Sequence, residues 1–321
     1  MEQNRKILRS KVFQNQWFFL LVVIVGISIF TTTLNPRYVQ LNNIVNIVEQ
    51  ISSLGVVAAG ATILIISGNF DISVGANVGL SACVMAIMIK SDIAPLAAVV
   101  AGILVSVVSS LLVGYTSILF KAPSFITSLA CIGIFRGIAL AITGARFQNI
   151  FGRFEALGTT RLFDVIPLLF IVAFVVFIAV FLVLKYSLLG RRIFSIGSNP
   201  RAAYLSGINV NVNKLIFFAI NGLLVGISAT MMLSRIGSAQ ASTGSGMELR
   251  AIGAAVIGGA VMSGGKGSIL GTFLGVLLMG VISNSLNMLQ VSPYYQDVTF
   301  GFVLLIALGV SSLSQAKKAG S

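Results

Sequence analysis

The sequence predicts an all-α membrane protein, a polytopic transmembrane helical bundle of about ten spans with a parallel internal repeat. Three observations lead there. The 321 residues are 57% hydrophobic and only 9% charged, with mean hydropathy +1.02, whereas a soluble domain carries about 25% charged residues. The apolar runs are long and continuous, unlike the short alternating strands of a membrane barrel, and in lipid only helices and closed barrels satisfy their own backbone. Finally, a helix–turn–helix pattern near residue 67 recurs near residue 263.

The first expected span, Trp17–Leu34, follows a basic stretch with Arg5, Lys6, Arg9 and Lys11. That order resembles a signal peptide. The run is nevertheless long enough to span and no small-x-small cleavage site follows it, so it reads as an uncleaved span. Further spans are expected at Ile44–Ile66, Ile72–Ile89, Ala94–Val113, Ala122–Thr143, Val165–Leu184, Leu215–Ser234, Leu249–Met262, Ile269–Met288 and Tyr295–Leu313. The eighth is short and rich in Gly and Ala, so it is expected to be tilted, broken or buried among its neighbours. Ten spans place both termini on one side. Basic residues divide 13 to that side and 7 to the other, with Arg136 inside a span; this bias favours both ends inside. The organisation is then an inner segment 1–16, a membrane body 17–313 with an inner loop 185–214, and an inner tail 314–321.

The net charge of +13 follows from that loop bias, since no clustered basic face with groove-reading elements points to nucleic acid. Cys83 and Cys131 sit in apolar runs and read as small hydrophobes. The chain has no histidine, which removes histidine metal ligation and acid–base chemistry.

At an offset of 196, Ser67-Gly68 matches Ser263-Gly264, Gly75 and Gly79 match Gly271 and Gly275, and Ala58-Ala59 matches Ala254-Ala255. The equivalent pairs start on the same side, which makes the repeat parallel; transporters commonly place a pathway between such repeats. Gly-x-x-x-Gly at 75/79, 133/137, 222/226 and 271/275 lets neighbouring backbones approach, and all four are expected to be packing sites.

Within the turn Ser67–Gly75, Asp71 and Ser73 precede a helix, where either side chain can cap free N–H groups. The same turn also suits a gate or pathway element at the inner end. In the inner loop, Asn199 is a good N-cap, Pro200 a good first helical residue and Gly207 a good stop. A short helix Asn199–Ser206 outside the membrane is more than a connector needs, and suggests a docking surface. Ser263–Ser268 does not make a phosphate-binding loop, because Gly267 separates Lys266 from Ser268 and residue 260 is Ala. Arg136 needs a partner within a span, and Glu49, at similar depth, is expected beside it. Asp71, Glu248 and Asp297 sit at span edges, which offers little for ion coupling.

Three segments carry a family resemblance. SGNFDISVG (Ser67–Gly75) is similar to SGGIDLSVG, GSNPRAAYLSGINV (Gly197–Val210) to GGNxxAAxxSGINV, and Gly246–Thr272 to GxELxAIAAVVIGGTSLxGGxGSxxGT. In this order and spacing the chain resembles, over roughly residues 40 to 310, the membrane permease subunit of bacterial ribose-type monosaccharide ABC importers. Asn69-Phe70 replaces the usual Gly-Ile, and Asn284-Ser285 the usual Asn-Gly.

The resemblance implies an inner-membrane permease with both termini cytoplasmic, forming a homodimer or a pair with a related permease around a sugar pathway. It implies a separate cytoplasmic ATPase docked on Asn199, Pro200, Arg201, Ala202, Ala203, Tyr204, Leu205, Ser206 and Gly207, and an extracytoplasmic sugar-binding protein. The permease itself would do no covalent chemistry and hold no cofactor or metal. Candidate pathway or gate residues are Asn69, Phe70, Asp71, Ser73, Asn221 and Asn284. The outer loop Gly144–Asp164, with Arg146, Arg153, Glu155 and Arg161, is the expected contact for the binding protein. The runner-up reading is a self-contained secondary transporter of a small polar solute; a membrane-embedded enzyme fits poorly, for want of histidine, clustered acids and a nucleophile–base pair.

Overall fold

The computed structural model describes residues 16–292, 294–305 and 309. The expected segments 1–16 (all but its last residue) and 314–321, and the end of the span Tyr295–Leu313, lie outside the described residues.

Among the described residues thirteen α-helices follow in order: α1 Gln16–Leu34, α2 Leu41–Ile66, α3 Val74–Lys90, α4 Pro95–Leu119, α5 Ser124–Thr143, the short α6 Ala156–Thr159, α7 Leu168–Tyr186, α8 Leu188–Ser198, α9 Pro200–Leu205, α10 Val210–Ile236, α11 Met247–Ile257, α12 Ile269–Met288 and α13 over 294–305. Seven of them (α1, α2, α4, α5, α7, α10 and α12) are long and apolar enough to cross a membrane. α3 has 17 residues. α11 has only 11, about 16 Å of helix against a hydrocarbon core of about 30 Å. The expected eighth span, Leu249–Met262, thus ends as helix at Ile257, where Gly258 follows.

α2 is the axis of the bundle. Its apolar window is 94% buried, against 17% for α1, and it packs on α7, α10, α11 and α12. Small residues along it (Gly55, Ala58, Ala59, Gly60, Ala61) let neighbours approach from every side. Polar side chains on it pair with α12: Thr62 Oγ1 meets Thr272 Oγ1 at 2.8 Å, and Asn43 exchanges hydrogen bonds with Asn284, both at 2.9 Å. Across the outer surface large apolar side chains such as Phe30, Leu96, Val108, Leu129 and Val175 are exposed, as lipid contact requires.

Three of the four Gly-x-x-x-Gly pairs pack backbone against backbone. A Cβ on Gly222 would stand 2.7 Å from the Val107 Cα of α4, and one on Gly226 2.8 Å from the Ile103 Cα. Cβ atoms on Gly271 and Gly275 would collide with the Gly258 and Ala254 carbonyl oxygens, and one on Gly79 would lie 2.8 Å from the Ala241 oxygen. The fourth pair, Gly133 and Gly137, has nothing within 4 Å, so spacing alone overstated its role. The segment between α5 and α7 folds down onto one end of the bundle. It pairs Gln148-Asn149 with Ser238-Ala239 antiparallel and is held by Arg153–Asp92 at 2.9 Å and Gly158 N–H to Ser234 Oγ at 3.0 Å.

Gly275→Ala is expected to destabilise the protein by roughly 1–3 kcal/mol through overpacking, seen as a lower thermal unfolding midpoint in detergent. Gly137→Ala leaves that midpoint unchanged.

Candidate functional site

The end of the bundle opposite that folded segment carries α8 and α9. Sequence reading expected one helix in the loop 185–214; there are two. Ser187 caps α8 by accepting from Gly190 N–H at 3.0 Å, and α8 turns Ile193 and Ile196 inward and Arg191 and Arg192 outward. For α9, Asn199 accepts from Ala202 N–H at 3.0 Å, Pro200 opens the helix, and Gly207 follows it at φ +83°. Tyr204 and Leu205 project outward, 69% and 79% exposed.

In the last turn of α8 the chain touches both Ser-Gly turns of the repeat. A Cβ on Gly197 would collide with the Ile66 carbonyl oxygen and lie 2.7 Å from Gly265 N; one on Gly264 would lie 2.7 Å from the Gly197 oxygen and 3.1 Å from Gly68 Cα. Gly265 N–H donates to the Ile66 carbonyl at 2.7 Å. Gly68, Gly264 and Gly265 all have positive φ, which glycine adopts without steric cost. The two turns thus meet at one end of the bundle, as a parallel repeat demands, and the α8–α9 junction is wedged against both. The second copy differs, because α11 stops about one turn before the position equivalent to the end of α2.

From Gly68 the chain re-enters the bundle in extended form. Phe70 N–H donates to Ser124 Oγ at 2.9 Å and Ile72 N–H to Ser128 Oγ at 3.1 Å, so two hydroxyls one turn apart on α5 satisfy alternate amides of the break. Asp71 is 3% exposed. It accepts from Ser73 N–H (2.9 Å) and the Ser73 hydroxyl, from Ser110 Oγ (3.3 Å) and from Asn221 Nδ2 (3.1 Å). Ser110 is in the second half of α4 and Asn221 near the middle of α10. Asp71 is therefore inside the bundle and not at a span edge as expected: the chain reaches that depth before α3 begins. Gly60 makes room for Asn221, whose Oδ1 would stand 2.6 Å from a Cβ there.

Toward the other end lies a cavity of about 230 Å³ bounded by α2, the end of α10, the stretch leading into α11, and α12. Gln50, Ser53, Ser242, Ser245 and Ser283 line it with uncharged polar groups, Met232, Met247 and Met279 with thioethers, and Arg235 and Arg250 edge it. Gln50 Nε2 donates to Ser283 Oγ at 3.1 Å, while the buried Ser53 Oγ has no partner.

Of the sequence candidates, Asp71, Ser73 and Asn221 come together. Asn69 bonds only its own turn, through Ser67, and Phe70 packs on the small apolar cluster of Ile65, Ile252 and Val256. Asn284 is tied to Asn43, one residue from the cavity-lining Ser283. The expected Arg136–Glu49 pair is not formed. Glu49 meets Arg161 at 3.2 Å and Arg235 at 3.7 Å, brought over it by the folded segment between α5 and α7 and by the end of α10, and Arg136 Nη2 donates to Ser245 Oγ at 2.8 Å. None of the cavity residues was named from sequence, because four distant segments contribute them.

A lipid-facing bundle with interrupted helices, an exposed capped helix at one end and a polar cavity toward the other is the architecture of a membrane transport protein. The family described as "branched-chain amino acid transport system / permease component" matches residues 43–308, and the chain belongs to that family. The chain is 37% identical to the ribose import permease protein RbsC of Bacillus subtilis, covering 90% of this chain and 89% of the relative. The identity is 34% with RbsC of Escherichia coli K12, over 94% of each, and 34% with the D-allose transport system permease protein AlsC of the same strain, over 92% and 90%. No solved structure matches.

Asp71→Ala leaves the Ser73, Ser110 and Asn221 donors unpaired, and is expected to lower stability by roughly 3 kcal/mol, measured by thermal unfolding in detergent. Asp71→Asn, which keeps an acceptor, loses less.

Proposed function

We propose that this chain is the membrane subunit of an ATP-driven importer that moves a monosaccharide, ribose-like or related, across the bacterial inner membrane. A separate cytoplasmic ATPase powers it, an extracytoplasmic sugar-binding protein supplies it, and two copies, or one copy with a related permease, enclose the pathway. The family and the named sugar import relatives support this reading over a self-contained carrier. The structural observation that carries it is α9, a capped helix offering Tyr204 and Leu205 to a partner while its root, Gly197, presses on both interrupted helix pairs. A push on α9 then reaches the repeat turns through backbone contacts, with no flexible side chain between.

Charge supports the orientation. Lys121, Lys185, Arg191, Arg192, Arg201, Lys214 and Lys266 lie at the α9 end, and all four ion pairs among the described residues lie toward the other end. An unneutralised cationic end favours the cytoplasm, which supports the expectation of both termini on that side. The segment 144–164 then faces the binding protein, and Asp71 with Ser73 and Asn221 forms the fixed base of a gate.

In liposomes, the chain with its cognate ATPase and binding protein is expected to accumulate D-ribose only when ATP is present. Uptake by the chain alone under an ion gradient would overturn the reading in favour of a secondary carrier. Tyr204→Ala together with Leu205→Asp is expected to weaken ATPase co-purification about tenfold or more without lowering the unfolding midpoint.

A further inference from the structure

The cavity between α2, α10 and α12 is a polar space that the docking of partners does not employ. Its volume of about 230 Å³ is below the roughly 300–1,000 Å³ of pockets for drug-sized ligands. At about 30 Å³ per water it holds roughly eight waters, the scale of one small solute.

Its chemistry narrows the solute. The wall offers hydroxyls and one primary amide, groups that donate and accept at once. Ser53 Oγ is buried without a partner. Because Gln50 donates to Ser283 Oγ, the amide oxygen of Gln50 and the proton of Ser283 remain free to bond a ligand. The two arginines at the edge do not make an anion site. Arg235 faces Glu49, and Arg250 meets Asp297 at 3.2 Å and lies over the Phe300 ring, 4.3 Å from its centroid. Methionine supplies the apolar wall, a soft surface that adapts to more than one shape. Among the described residues no aromatic ring lines the cavity.

We infer that this cavity is a low-affinity station in which the permease itself holds a neutral polyhydroxylated solute of monosaccharide size, with Gln50, Ser53 and Ser283 as its hydrogen-bonding floor and Ser242 and Ser245 at its mouth. The inference rests on the transport reading above and deepens it. A transit site has to admit its solute and release it, so weak binding by hydroxyls and thioethers suits the task better than a tight pocket.

Cysteine chemistry tests it in the assembled transporter. The native Cys83 and Cys131 do not line the cavity, whereas Ser283→Cys and Ser245→Cys place thiols on its wall and at its mouth with minimal change of shape. In proteoliposomes containing the ATPase and fed D-ribose by its binding protein, a small methanethiosulfonate reagent is expected to modify both thiols and to cut D-ribose uptake at least several-fold. Turnover with D-ribose slows labelling at position 283 several-fold, and an aldonate anion does not. Modification of both thiols with uptake unchanged, or labelling of Ser283→Cys indifferent to D-ribose, would overturn the station while leaving the importer standing. Protection by the anion instead of the sugar would overturn its neutral selectivity. A lack of ATP-dependent uptake by the unsubstituted transporter would remove the transport reading and the station with it.

Discussion

Lipid offers no hydrogen bonds, so an interrupted helix survives in a bundle only if the protein pairs each amide the interruption frees. Here that constraint is met by named groups. Ser124 and Ser128 take the amides of Phe70 and Ile72, Asp71 takes that of Ser73, and the Ile66 carbonyl takes that of Gly265. All of these except the Asp71–Ser73 pairing join segments distant in sequence. The interruptions are therefore also the places where α2, α5, α8 and the α11–α12 turn are locked together.

Glycine makes this locking possible. At Gly197, Gly264 and Gly265 backbone lies on backbone, with no side chain to yield. A displacement of the exposed α9 is carried through such contacts with little loss, whereas a joint of long side chains would absorb it by changing rotamer. The tight α4–α10 and α11–α12 seams extend the same principle through the membrane. Softer material is kept for the cavity, where three methionines and a row of hydroxyls border the space. Stiff transmission at one end and adaptable walls toward the other are what alternating access asks of one chain.

What could be read from the sequence was what is local. Asn199, Pro200 and Gly207 act on their own backbone, so α9 was legible to the residue. Hydropathy located α12 at Ile269–Met288 without error, and the 196-residue offset paired the two turns that meet. Depth and partnership were not legible. Asp71 looked like a span-edge cap because its donors, Ser110 and Asn221, arrive from α4 and α10. Glu49 found Arg161 and Arg235 because the outer segment folds back, which hydropathy does not report. α8 was missed although Ser187 is a cap of the same kind as Asn199 and its apolar residues keep helical spacing, because its arginines read as the charge of a connecting loop. The cavity had no sequence signal, being assembled from four segments far apart in the chain.

The central claim is that the Gly197 junction stays joined to both turns while the transporter works. The Gly265 amide, hydrogen-bonded to Ile66 at 2.7 Å, reports on that joint directly through hydrogen–deuterium exchange in the assembled transporter. The account predicts slow exchange at Gly265 both without nucleotide and with ATP trapped, because the joint moves as one body. Rapid exchange at Gly265 in either state, with the flanking helices still protected, would contradict it.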